Sequence, residues 1–123
     1  MFMGFSFFGL CGQDVKFKTV DAVEFAKFIE NTEVVVLDVR TPEEHAEGFI
    51  PGTDYNIDVL KDNYEQVATE TLQKDKPVAL YCRSGNRSKN AARILAEHGY
   101  DVVELGTGFK GWVAAGQQIA KPE

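Results

Sequence analysis

The stretch Val78-Ala-Leu-Tyr-Cys82-Arg-Ser-Gly-Asn-Arg-Ser88 decides how the rest of the chain is read. Its first five residues are an apolar run ending on a cysteine, the pattern of a strand buried on both faces. The polar residues that follow form a loop, and Lys89 to His98 reads as a helix with Ala91, Ala92, Ile94 and Leu95 toward a core. Strand, loop and helix in that order put Cys82 at the carboxyl end of a strand, where open α/β sheets bind ligands. Gly85 and Asn86 tolerate positive φ, so the loop can curl and turn several backbone N–H groups inward. With the helix N-terminus, those amides form an anion cradle centred on the Cys82 sulfur and favour its thiolate. Arg83, Arg87 and Lys89 place three cations at a helix start, against the helix dipole, which makes sense if an anion binds there. The alternative is a buried, inert cysteine with a solvated basic rim.

The same alternation extends outward on both sides. Upstream, Asp21-Ala-Val-Glu24 opens an amphipathic helix with Val20, Phe25, Phe28 and Ile29 on one face. Val34 to Leu37 and Val39 form a second buried strand, and Thr41-Pro42-Glu43-Glu44 has the composition of a capping box with proline at the first helical position. Gly48 ends that short helix, Ile50-Pro51-Gly52 is a turn, Tyr55 to Val59 a short strand, and Asp62 to Gln73 a polar helix with a solvated face. Downstream, Val102 to Leu105 is a strand and Gly108 to Ala115 a last helix. Strands joined through helices predict an α/β domain whose central, mostly parallel sheet has helices on both faces.

The 123 residues suit a single domain over 14–123, preceded by an apolar segment over 1–13. That segment is too short to span a bilayer as a helix and lacks the basic start of a secretory signal. It is open to three interpretations: an export-signal remnant, a docked terminus or an exposed arm. The first would make the protein periplasmic or exported; otherwise a cytoplasmic location is expected. Thirteen Lys+Arg against 19 Asp+Glu give a net charge of -6, the wrong sign for a nucleic-acid binder. Cys11 and Cys82 are too few for a disulfide framework, though a bond between them would block Cys82. Neither they nor His45 and His98 have a metal-site spacing. His45 is expected to be exposed on a charged helix, and His98 to close the helix before Gly99. Gly106-Thr-Gly-Phe-Lys-Gly111 matches a dinucleotide fingerprint, but too few residues follow it for the second strand and acidic residue, so it is a turn into a helix packed through Phe109 and Trp112.

Three stretches together resemble the single-domain rhodanese-like sulfurtransferases. They are Leu37-Asp-Val-Arg-Thr-Pro-Glu-Glu-His45 with Gly48-Phe-Ile-Pro-Gly52, the loop Cys82 to Ser88, and Leu105-Gly-Thr-Gly-Phe-Lys-Gly-Trp112. Phe49 stands where the family commonly has histidine, and Thr107 separates glycines that are usually adjacent. The resemblance implies the rhodanese-like fold and ping-pong sulfur transfer without a cofactor. Cys82 would take a sulfane sulfur from a small anionic donor such as thiosulfate and pass it, as a persulfide, to cyanide or a thiol. Arg83, Ser84, Gly85, Asn86, Arg87 and Ser88 would form the loop and anion cradle, with Asp38 and Arg40 supporting it by pairing with the loop and each other. An ordinary ion pair at a strand end explains those two positions equally well.

A monomer with broad small-molecule access is expected. The rival is a persulfide carrier or protein-binding module that serves a protein acceptor without free turnover. A cysteine phosphatase or arsenate reductase ranks lower. Only four residues separate Cys82 from Arg87, one fewer than those enzymes use around a tetrahedral oxyanion.

Overall fold

A computed structural model describes residues 16–123. The 1–13 segment and Cys11 therefore lie outside the described residues. The strands are β1 (Lys18–Val20), β2 (Val35–Asp38), β3 (Tyr55–Asn56), β4 (Val78–Tyr81) and β5 (Val102–Leu105). The helices are α1 (Ala22–Phe28), α2 (Pro42–Glu47), α3 (Tyr64–Thr71), α4 (Asn86–Glu97) and α5 (Gly108–Ala114). The five strands form one sheet in the order β1-β5-β4-β2-β3, and every pair is parallel.

Local chemistry explains the helix starts. The Asp21 side chain accepts from the Glu24 N–H at the head of α1. At α2 both halves of the capping box form: Glu44 N–H donates to Thr41 Oγ1, and Thr41 N–H donates to Glu44 Oε1. Pro42 takes the first helical position, where its missing N–H costs nothing.

The apolar runs become the middle of the sheet, with β4 and β5 buried along their whole length. One face packs Leu37, Val39, Val78 and Leu80 against Tyr64, Ala68 and Leu72 around α3 and Ala91, Ala92 and Leu95 of α4. The other packs Val36, Ala79, Tyr81, Val103 and Leu105 against Phe25 of α1 and Trp112 of α5. The expected α/β architecture with helices on both faces is thus present.

Two expectations require correction, and one strand went unpredicted. Helix α4 begins at Asn86, three residues earlier than the pattern predicts, so Arg87 and Ser88 lie in its first turn. The 62–73 segment is more than a solvated face, because Tyr64, Ala68 and Leu72 enter the core. Strand β1 carries too few apolar residues to signal itself; only Val20 is buried, and it pairs at the sheet edge with β5.

This strand order places the site. The chain leaves β2 toward β3 on one side, and leaves β4 toward β5 on the other. The sheet therefore reverses direction between β2 and β4, and the crevice beyond their carboxyl ends is the usual ligand position in such sheets. Asp38 ends β2 directly opposite Tyr81, which ends β4.

Candidate active site

Cys82 follows the last residue of β4, and the chain turns at once into α4. Gly85 makes the turn possible. It holds φ +99°, and a Cβ there would stand 2.1 Å from the Gly106 carbonyl oxygen, so a side chain is excluded on both counts. Asn86 does not share that role, since it is already the first residue of the helix. The turn aims the Gly85 N–H at the Cys82 Sγ at 3.1 Å. Burial, the largest single influence, disfavours the thiolate. The polar groups of Ser88 and the N–H groups of Gly85 and Ser84 outweigh it and lower the thiol pKa from its ordinary value; the Ser88 hydroxyl itself donates to Glu104 Oε2 at 2.5 Å. Among the described residues Cys82 has no disulfide partner. Its residue is 1% exposed.

The loop is also held from behind. Phe109 N–H donates to the Cys82 carbonyl at 2.8 Å, and Lys110 N–H to the Arg83 carbonyl at 2.9 Å. The Gly106–Gly111 turn therefore clamps the loop through main-chain bonds, beyond the packing expected of it.

A family model described as the rhodanese-like domain matches residues 21–115, most of the chain. The chain belongs to the rhodanese-like domain family. It is similar to a sulfurtransferase of Allochromatium vinosum, 34% identical over 85% of this chain and 95% of the relative. It is also similar to the thiosulfate sulfurtransferase PspE of Escherichia coli, 39% identical over 60% of this chain and 69% of that protein. Among solved structures, a rhodanese-related protein of Thermoplasma volcanium matches with a TM-score of 0.76 at 27% identity, covering 86% of this chain and 100% of that one.

Two of the three loop cations in this rhodanese-like domain already have partners. Arg87 makes a bidentate pair with Glu44 of α2 at 2.8 and 2.9 Å. That pair, first of all, lowers the Glu44 pKa to about 2. Lys89 bonds the Gly85 carbonyl and pairs with Glu104 of β5 at 3.1 Å. Their charges are thus compensated within the fold, which corrects the view of three cations waiting for an anion. Arg83 is exposed and has no ion-pair partner among the described residues.

Asp38 and Arg40 pair with each other through two bonds, Nε to Oδ1 at 2.9 Å and Nη2 to Oδ2 at 2.7 Å. Neither bonds the loop. Arg40 instead donates to the Gly48 carbonyl at 2.7 Å and lies 4.3 Å from the centre of the Phe109 ring. His45, expected to be exposed, has a side chain only 24% exposed; its Nδ1 is 3.0 Å from Asp38 Oδ2. Its ring stacks at 4.3 Å on Phe49, the residue that replaces the family's usual histidine.

An open groove of about 480 Å³ runs beside the loop, with Arg40, Gly48, Arg83, Phe109 and Lys110 among its lining residues. One buried charged residue had no sequence-based role. Glu104, in the centre of β5, is fully enclosed. A carboxylic acid at an inward position between Val103 and Leu105 was the signal that could have revealed it.

Proposed function

We propose that this rhodanese-like domain is a sulfurtransferase that carries a sulfane sulfur on Cys82. The observation that supports this most directly is the Gly85 N–H at 3.1 Å from Sγ, in a turn where several further donors converge on the sulfur. Such a site favours a sulfur anion, both as thiolate and as the persulfide that follows it.

In the first half-reaction the thiolate attacks the outer sulfur of thiosulfate. A new S–S bond forms, the donor's own S–S bond breaks, and sulfite leaves with the electron pair, giving Cys82–S–S⁻. In the second, cyanide or a thiolate attacks the terminal sulfur. The Cys82–S bond to that sulfur breaks and its electron pair returns to Cys82 as thiolate. Arg83 is the loop cation available to meet the anionic donor, since Arg87 and Lys89 are engaged. The groove beside Arg83 and Phe109 gives the acceptor its approach. Asp38 and Arg40 act at a distance from the sulfur, by fixing the wall of that groove around Gly48.

Intact mass of the reduced protein, taken after thiosulfate and again after cyanide, tests this beside Cys82→Ala. A gain of one sulfur atom that cyanide removes is expected in the wild type and not in the variant. No gain with thiosulfate would remove thiosulfate as donor. Sulfur held against cyanide and thiols but passed to a protein would identify a carrier, and turnover of an aryl phosphate or arsenate that depends on Cys82 would overturn sulfur transfer.

A further inference from the structure

A small inorganic donor needs a cation and little space, and Arg83 supplies the cation. The groove beside the loop offers more than that. Its volume of about 480 Å³ lies in the range of sites that enclose small organic molecules. Helix α5 forms one wall. Phe109 and Val113 are one helical turn apart and share a face, with Lys110 and Ala114 next to them, so this wall is an apolar strip with a lysine alongside. The Arg40 guanidinium, 4.3 Å from the Phe109 ring centre, fixes that ring in place. Across the groove stands the end of α2, with Glu47 and Gly48.

Packing within the chain does not use the outer part of this strip. Val113 is 49% exposed, on a helix whose opposite side buries Gly108 and Trp112. The charges divide in the same way. Arg40 and Glu44, which also line the groove, are paired with Asp38 and Arg87. Lys110, Arg83 and Glu47 are exposed and have no ion-pair partner among the described residues. Lys110 and Arg83 are neighbours, since the Lys110 N–H bonds the Arg83 carbonyl. In a protein of net charge -6, the groove thus has its free cations on the α5 side and its free carboxylate on the α2 side. A negative group is drawn to the first wall and repelled by the second.

We propose that the groove selects the sulfur acceptor: an organic thiol whose aliphatic body covers Phe109 and Val113 and whose carboxylate is held by Lys110. This rests on Cys82 carrying the transferred sulfur. The acceptor thiolate attacks the terminal sulfur of Cys82–S–S⁻ and forms a new S–S bond. The bond from that sulfur to Sγ breaks, its electron pair returns to Cys82, and the acceptor leaves as its own persulfide anion. Lys110 is then a specificity-determining residue, and Glu47 keeps the carboxylate off the opposite wall.

The test uses mercaptohexanoate and mercaptohexanol, each with its thiol at the far end of the chain, so that only the other end group differs. Protein already loaded by thiosulfate is mixed with each, and loss of the sulfur atom is timed by intact mass, so slower loading in a variant does not enter. The carboxylate thiol discharges the protein about three- to tenfold faster at low salt, and the advantage shrinks at high salt. Lys110→Gln removes it and Glu47→Gln enlarges it; both positions are exposed, so the core is untouched. Val113→Ser reduces the advantage of mercaptohexanol over mercaptoethanol. Equal discharge by the two long thiols, an advantage that survives Lys110→Gln, or no effect of Val113→Ser overturns the proposal. Hexanoate and hexanol, which have no sulfur to exchange, report on the groove alone when titrated into reduced protein and followed by amide NMR shifts along α5. Shifts with hexanoate that are lost in Lys110→Gln, in a protein that thiosulfate fails to load, would keep the carboxylate site and remove sulfur transfer. Absence of such shifts counts against the site whether or not thiosulfate loads.

Discussion

At Gly108 the start of α5 passes so close to the Cys82 loop that no side chain fits between them. A Cβ there would lie 2.4 Å from the Arg83 carbonyl oxygen and 2.6 Å from the Ser84 nitrogen, at φ +68°. The atoms it would strike are backbone, held by the Phe109 and Lys110 N–H bonds to the loop. Gly108→Ala must therefore shift the loop. It is expected to cost about 2 kcal/mol or more, read from urea unfolding, and to slow sulfur loading at least roughly tenfold. Unchanged loading would show that the clamp does not set the loop's geometry. The place of Cys82 at the end of β4 was legible from sequence, because an apolar run ending on cysteine before Arg-Ser-Gly-Asn is a local pattern. The partners of Arg87 and Ser88 were not, since Glu44 and Glu104 lie 43 and 16 positions away and only folding brings them near.

Among the elements, α2 shows how a short helix with no buried residue is made to matter. Glu44 serves twice, closing the capping box with Thr41 and holding Arg87 in the first turn of α4. Its carboxyl pKa is lowered to about 2, against about 4.3 for an unfolded chain. A lowered folded value stabilises the protein above the unfolded value, and that contribution is lost as pH falls through the folded one. Wild type is thus expected to exceed Glu44→Gln by about 1–2 kcal/mol at pH 7, after allowing for partial solvent exposure. The gap should close between about pH 4.5 and 2 in denaturant titrations, and a gap independent of pH would contradict the pairing. The capping box of α2 was readable because Thr41 and Glu44 are three apart. The start of α4 was not, because its N-cap is Gly85, which has no side chain to announce it and makes its turn by a positive φ.

Across the whole molecule, the parallel sheet was predictable from alternation, but the strand order was not. Order depends on which side of β2 each crossover falls, and apolar runs carry no such information. That order brings the ends of β2 and β4 together and makes Asp38 a junction. Fully buried, it binds Arg40 and His45, and Arg40 reaches on to Gly48 and Phe109. Asp38→Asn leaves the buried Arg40 charge without its counter-ion, so a loss of about 3–5 kcal/mol is expected by urea or thermal unfolding. A loss below about 1 kcal/mol would mean that Phe109 and the Gly48 carbonyl suffice to hold the guanidinium.

The edges of this sheet have a consequence of their own. β1 offers three residues along one margin and β3 two along the other. An incoming strand needs a longer row of free backbone groups to dock in register, and very short edge strands are one way proteins blunt strand-to-strand growth. The buried strands β4 and β5, whose apolar runs are the ones prone to cross-β stacking, are enclosed between neighbours. Crowding many copies together therefore gives them little template for fibril formation while the fold stays closed.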